Sequence, residues 1–147
     1  MQKVVINKCF GGFELSVPAI KRLAELKGRE CYFFTEARDK DDNFDYEHLI
    51  RLSDKEAEHG FCYAYDVPSL DGWTKDERAE HYMYFHDISR TDPDLITVVE
   101  EMGAGHRTGA SGPLASLKVV EIPDDVEYEI AEYDGNEHIA EFHRTWS

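Results

Sequence analysis

The opening stretch KVVINKCFGGFELSVPAIKRLAELKGRECYFF, residues 3–34, constrains the fold more than any other part of the chain. Val4, Val5 and Ile6 are β-branched, so the run is a strand, and Gly11-Gly12 ends it. Ser16 follows at an N-cap position, and Pro18 falls in the first helical turn, where amide hydrogens lack intrahelical partners. Ile20, Leu23, Ala24 and Leu26 then make an apolar stripe at helical spacing, with Lys21, Arg22 and Glu25 toward water. Gly28 is placed to end the helix, and CYFF at 31–34 reads as a second strand. The order is β–loop–α–β. If the two strands are parallel, their crossover is right-handed.

The rest of the chain extends this pattern. Residues 36–60 hold nine acidic side chains against four basic ones and few apolar anchors, which predicts an insertion or lid-like excursion. Within it FDYEHLIRL is compatible with a short helix. FCYAYDV at 61–67 predicts a third strand, and residues 82–86 a short further one. SRTDPDLITVVEEMG is the clearest second helix: Thr91 or Asp92 caps it, Pro93 sits in its first turn and Gly103 stops it. Residues 103–113 carry four glycines and predict a loop. LKVVEI and VEYEIAEY flank Pro123-Asp124-Asp125 and predict a hairpin, and GNEHIAEFHRTWS a short helix or extended tail. The sum is a single α+β domain over 1–147. It has a mixed, mostly antiparallel sheet of four to six strands, two main helices and an acidic insertion at 36–60.

Charge narrows the function classes. The net charge of −15 disfavours nonspecific nucleic-acid binding, which needs Lys and Arg to replace phosphate counterions, and attraction to an anionic membrane. It permits a basic protein partner, a cation or mimicry of DNA. No apolar run reaches the roughly 20 residues of a membrane helix, and a cytoplasmic protein is the default expectation. Three cysteines without CxxC spacing predict free thiols rather than disulfides or a zinc site.

Several motifs invite chemistry. The Gly11-Gly12 turn either aims backbone N–H groups at a ligand or simply packs on the sheet; it is neither a Walker loop nor GxGxxG. DKDDNFDYEHLI begins like a calcium loop, but Phe44 stands where Gly is needed and Ile50 where a bidentate Glu is needed. The histidines give no HExxH, and His138 and His143 are five apart, off a common helical face. Ser111 lies outside any nucleophile elbow, and Cys9 has no assignable base. No catalytic residue, metal site or cofactor is therefore expected. At the chain end Arg144 and Trp146 offer a cation and a stacking plane, although the aromatic tail is equally suited to docking on the body.

KVVINKCFGGFELS, RTDPDLITVVEEMG and LKVVEIPDDVEYEIAEYDGNEHIAEFHRTW together resemble a family of small uncharacterised bacteriophage and prophage proteins. The resemblance implies a host-cytoplasmic setting, and small phage proteins often counter host defence. The leading expectation is non-enzymatic binding of a small anionic or nucleotide-like ligand. The candidate site is Asn7, Cys9, Phe10, Gly11, Gly12, Phe13, Arg90, Arg107, Tyr133, His138, Arg144 and Trp146. The alternatives are an acidic protein-interaction or DNA-mimic inhibitor of a basic host protein, and a hydrolase acting on a nucleotide or phosphoester. A homo-oligomer is compatible with each.

Overall fold

Four consecutive buried residues, Val4-Val5-Ile6-Asn7, close the first strand of the computed structural model, in which three apolar side chains and one amide leave water together. The structure describes the chain except for residues 11, 39, 42, 59–61, 84, 86–87, 105–108, 113–114 and 142–147. The elements run β1 (Gln2–Asn7), α1 (Val17–Leu26), β2 (Tyr32–Arg38), β3 (Phe44–Leu52), α2 (Asp54–Ala57), β4 (Tyr63–Tyr65), α3 (Lys75–Ala79), α4 (Pro93–Met102), β5 (Leu117–Ile122), β6 (Tyr128–Tyr133) and β7 (Asn136–Glu141). This is an α+β protein. Among the described residues the strands pair as β1-β5, β3-β2-β4 and β6-β7, each pairing antiparallel, in three sheets rather than one mixed one. Two compact units result, residues 1–19 with 86–147, and residues 20–85.

In the first unit β1 lies against β5, with Gln2 opposite Ile122 and Asn7 opposite Leu117. The 31–34 segment is not its partner, so the parallel crossover considered from the sequence does not form. Helix α4 packs on both strands through buried Leu95, Val98 and Val99. Each such side chain contributes about 1.5–3 kcal/mol of burial. Asp92 caps the helix, its carboxylate accepting from the amides of Asp94 at 2.9 Å and Leu95 at 3.1 Å. Pro93 occupies the first turn and Gly103 ends the helix with φ 77°. The Pro123 turn does not close a hairpin, because β5 belongs to β1 and β6 to β7. Of the predicted helix or extended tail after Gly135, residues 136–141 are strand β7, which pairs Glu141 with Tyr128 at its far end, and residues 142–147 lie outside the described residues.

Helix α1 starts as its sequence predicts. The Ser16 hydroxyl accepts from the Ala19 amide at 3.2 Å and donates to the Gly109 carbonyl at 2.6 Å. At the other end the Gly28 amide bonds the Glu25 carbonyl and the Arg29 amide reaches back to Ala24. With Gly28 at φ 71°, this is a Schellman ending.

In the second unit the described part of the acidic stretch 36–60 carries regular structure. β2 continues to Arg38, and FDYEHLIRL is strand β3 rather than a helix, paired with β2 across an irregularity at Glu36/Ala37. Apolar residues at 44, 49, 50 and 52 fit either period, and cross-strand pairing decides between them. Ser53 then opens α2 with a capping box to Glu56, and Thr74 does the same for α3 with Glu77. At the predicted 82–86 strand, the described residues form only an isolated bridge, Tyr82 to Tyr65. Phe34, Tyr65 and Leu70 are the buried centre of this unit, flanked by Tyr32, Leu49, Tyr63, Val67, Trp73 and Tyr82. Beside them the Asp66 carboxylate takes Arg29 at 2.9 Å on one oxygen and His81 at 2.7 Å on the other. None of Cys9, Cys31 and Cys62 is in a disulfide; Cys31 is buried and burial pushes its thiol up to about 12, while Cys9 and Cys62 are half-buried.

Ser16→Ala removes a cap and strands a buried carbonyl at once. The expected loss is about 1–2 kcal/mol, read as a lower denaturant midpoint at unchanged slope.

Burial pushes the Asp66 carboxyl up, but the hydrogen bonds and charges of Arg29 and His81 outweigh it and hold the group below its ordinary value. A depressed carboxyl stabilises the fold above the unfolded pKa of about 3.9, and that contribution is lost as pH falls through the lower, folded value. Asp66→Asn should therefore cost about 1–2 kcal/mol at pH 5–6, and the gap from wild type should shrink in chemical denaturation below about pH 4.

Candidate functional site

The end of β1 and the β6–β7 turn meet around one buried carboxylate. Strand β7 places Glu137, only 7% exposed, on its inner face. Its Oε1 accepts from the Asn7 amide at 2.7 Å. The Arg90 guanidinium bonds both oxygens, at 2.5 and 3.0 Å, and also the Val5 carbonyl at 3.3 Å. Arg90 lies two residues before the α4 cap, and its own carbonyl accepts from the Val5 amide. Its guanidinium carbon stands 3.9 Å from the centre of the Phe13 ring. Arg90 is thus paired, hydrogen-bonded and stacked by groups of its own unit.

Asn7 is fully buried and is a structural residue in this arrangement. Its amide nitrogen donates to the carbonyls of Cys9 and Gly135, both at 2.8 Å. Its oxygen accepts from the amides of Ser116 at 2.8 Å and Cys9 at 3.3 Å. Two donors and two lone pairs are the whole capacity of the side chain. Lys8 adds a bond from Nζ to the Glu137 carbonyl at 2.9 Å.

The bare backbone after β1 approaches another turn of the same protein. Asp134 and Gly135 have φ 50° and 87° and join paired Tyr133 and Asn136, the two-residue turn that suits a twisted hairpin. A Cβ on Gly135 would stand 2.5 Å from the Gly12 nitrogen and 2.9 Å from the Phe10 carbonyl. Gly12 differs: it needs its φ of 88°, but a Cβ there would meet nothing within 4 Å.

The contact leaves two rings outside. Phe10 is 60% exposed and Tyr133 is 79% exposed. They meet edge to face with centroids 6.5 Å apart. Asp134 lies beside them in sequence, and Cys9 is half-buried.

Of the residues proposed from sequence, Asn7, Cys9, Phe10, Gly12, Phe13, Arg90 and Tyr133 come together in one linked neighbourhood. Arg90, expected to meet a ligand anion, is held by Glu137. His138 is exposed and, by strand alternation, lies on the face opposite Glu137. Gly11, Arg107, Arg144 and Trp146 lie outside the described residues. Glu137 and Gly135 were missed. Asp-Gly between alternating residues signals the turn and would have revealed the hairpin, whereas nothing marks Glu137 as buried among its acidic neighbours. Among the described residues no group of three or more His, Cys, Asp or Glu is placed to hold a metal ion. No helix among them is long and apolar enough to cross a membrane.

No protein-family model matches the chain, and no curated protein or solved structure is found similar to it.

The two glycines make different demands, and alanine separates them. Gly12→Ala should cost about 1–2 kcal/mol, the penalty of a left-handed backbone alone. Gly135→Ala carries that penalty and a collision with backbone, so its denaturant midpoint should fall clearly further. Equal losses in the two variants would show that the turns do not touch this closely.

Proposed function

We propose that this protein acts by binding, and that the Phe10–Tyr133 pair is its contact point for a basic protein. The observation that carries this reading is the exposure of two large rings on a turn whose backbone is fixed from beneath by Asn7, Glu137 and Arg90. Aromatic side chains dominate binding hot spots because they bury much area at little conformational cost. A fixed platform lowers that cost further. The net charge of −15 favours and steers a partner bearing Lys or Arg, whose cation can sit over a ring face. If the likeness to phage proteins holds, the partner is a host protein.

A small nucleotide-like ligand is the second reading, because the same ring faces suit a flat base. The engagement of Arg90 by Glu137 weighs against it, since a phosphate would have to compete with a buried carboxylate. Hydrolysis gains no support from His138, which stands apart from the cluster.

Both rings are exposed, so Phe10→Ser with Tyr133→Ser should leave the unfolding midpoint within about 0.5 kcal/mol of wild type. Affinity purification from bacterial lysate should recover a basic protein with wild type and lose it with the double variant and at high salt. Mass spectrometry of the same preparation after denaturation tests the second reading. An intact small anion released from wild type, with no protein partner, would replace the first reading by sequestration.

A further inference from the structure

Strand β6 is the outer strand of its ribbon. β7 has β6 on one side and the end of β1 on the other, where the Asn7 amide and the Lys8 ammonium bond Glu137. The left-handed pair Asp134-Gly135 closes the turn on Tyr133 and Asn136, which sets those two residues in mutual hydrogen bonding. Alternation along an antiparallel ladder then makes Ala131–His138 and Glu129–Ala140 the other bonded pairs. Tyr128, Ile130 and Glu132 therefore turn their N–H and C=O groups away from β7. Among the described residues none of these groups has a hydrogen-bond partner.

The side chains along this edge give it a sign. Glu129, Ala131 and Tyr133 share one face of the ribbon, and Tyr128, Ile130 and Glu132 share the other. Glu129 and Glu132 are exposed, and no cation among the described residues holds either of them. Ile130 between them is half-buried. Tyr133 ends the strand at the ring pair, so the edge leads into that contact. A second copy of the chain would bring the same acids to the same edge. Like charges across paired strands are destabilising, and charged edges resist self-association in this way. A basic strand meets the opposite condition.

We propose that an extended segment of the basic partner adds to β6 as a third strand. Its backbone bonds Tyr128, Ile130 and Glu132, its Lys or Arg side chains stand opposite Glu129 and Glu132, and one end lies beside Tyr133. The inference rests on the ring pair as the contact for a basic protein, and it states how that protein is held. Main-chain bonds give affinity to any extended segment, and the two acids select its charge. A third strand also relieves the marginal stability of a two-stranded ribbon.

The probe is the blocked peptide acetyl-Thr-Lys-Thr-Val-Lys-Thr-amide. In antiparallel pairing it sets a lysine opposite each glutamate and the valine opposite Ile130. It is titrated into the whole chain, and binding and amide hydrogen exchange are followed by NMR. At saturating peptide, exchange should slow at least about tenfold at the amides of residues 128, 130 and 132, and change little at 129, 131 and 133, which β7 already bonds. The same peptide N-methylated at its valine keeps both charges, loses a backbone donor and should bind about tenfold more weakly. With glutamate in place of both lysines it should not bind. Ile130→Pro removes an outward N–H and leaves the ladder to β7 whole, so it should abolish the slowing at 128 and 132. If that variant does not fold, the N-methylated peptide decides. An N-methylated peptide that binds as tightly as its parent, equal slowing at every amide of β6, or no slowing at millimolar peptide would each overturn the proposal. Shifts confined to Phe10 and Tyr133 would overturn the added strand and leave the ring contact standing. Slowing at the three outward amides that Phe10→Ser with Tyr133→Ser leaves untouched would sustain the added strand and remove the ring pair from the contact.

Discussion

The carboxylate of Glu137 is the interaction on which the first unit depends. A buried ionised group costs several kcal/mol unless it is paired and its lone pairs are satisfied. Here the Arg90 fork supplies the charge, and the Asn7 amide takes a further position. Those partners come from the end of β1 and the lead-in to α4, so a single side chain on β7 ties three distant parts of the chain. Such a pair adds little net stability over an apolar substitute. What it adds is register: a one-residue slip of β7 would bring His138 inward and leave Arg90 buried against an unmatched group.

That registry matters because the β6–β7 ribbon has only two strands. An isolated two-stranded hairpin is marginal in water, and its own face is mostly half-buried or exposed. Its fixed position comes from the polar brace and the close turn–turn contact at Gly135. Phe10 and Tyr133 can then stay outside, since neither ring is needed to hold the ribbon down. Exposed aromatics on a wobbling turn would be an aggregation hazard; on a braced one they form a defined surface.

Local signals in this sequence were read correctly, while long-range pairing was beyond them. The Ser16, Asp92 and Gly28 caps, the β1 run and the α4 stripe each involve residues a few positions apart, where propensity and hydrogen-bond chemistry act directly. The partner of β1 is 110 to 120 positions away, and nothing in Val4-Val5-Ile6 distinguishes β5 from β2 as a neighbour. FDYEHLIRL failed for a related reason, since its apolar spacing satisfies a helix and a strand alike and only the β2 pairing resolves it. At the site, the CFGGF turn stands out in the sequence because a glycine pair directly after a β-branched run marks a place where bare backbone comes close to something. Glu137 does not, because it sits among Glu132, Glu141 and other acids that are solvated. Burial is a property of position, and the sequence carries no mark of it there.

The acidic composition takes on a different meaning once these carboxylates are separated by environment. Most of the acids are exposed, where their mutual repulsion opposes compaction and salt screens it within about 8–10 Å. Glu137, Glu36 and Asp66 are withdrawn from that population, and each is held by a cation or hydroxyl of its own unit. Being partly or wholly shielded from solvent, they feel salt far less. The excess of negative charge is therefore a surface property acting on partners at a distance, while the architecture rests on a few carboxylates whose charge is already matched. A partner attracted by the first would meet, at the ring pair, a surface that the second has fixed in place.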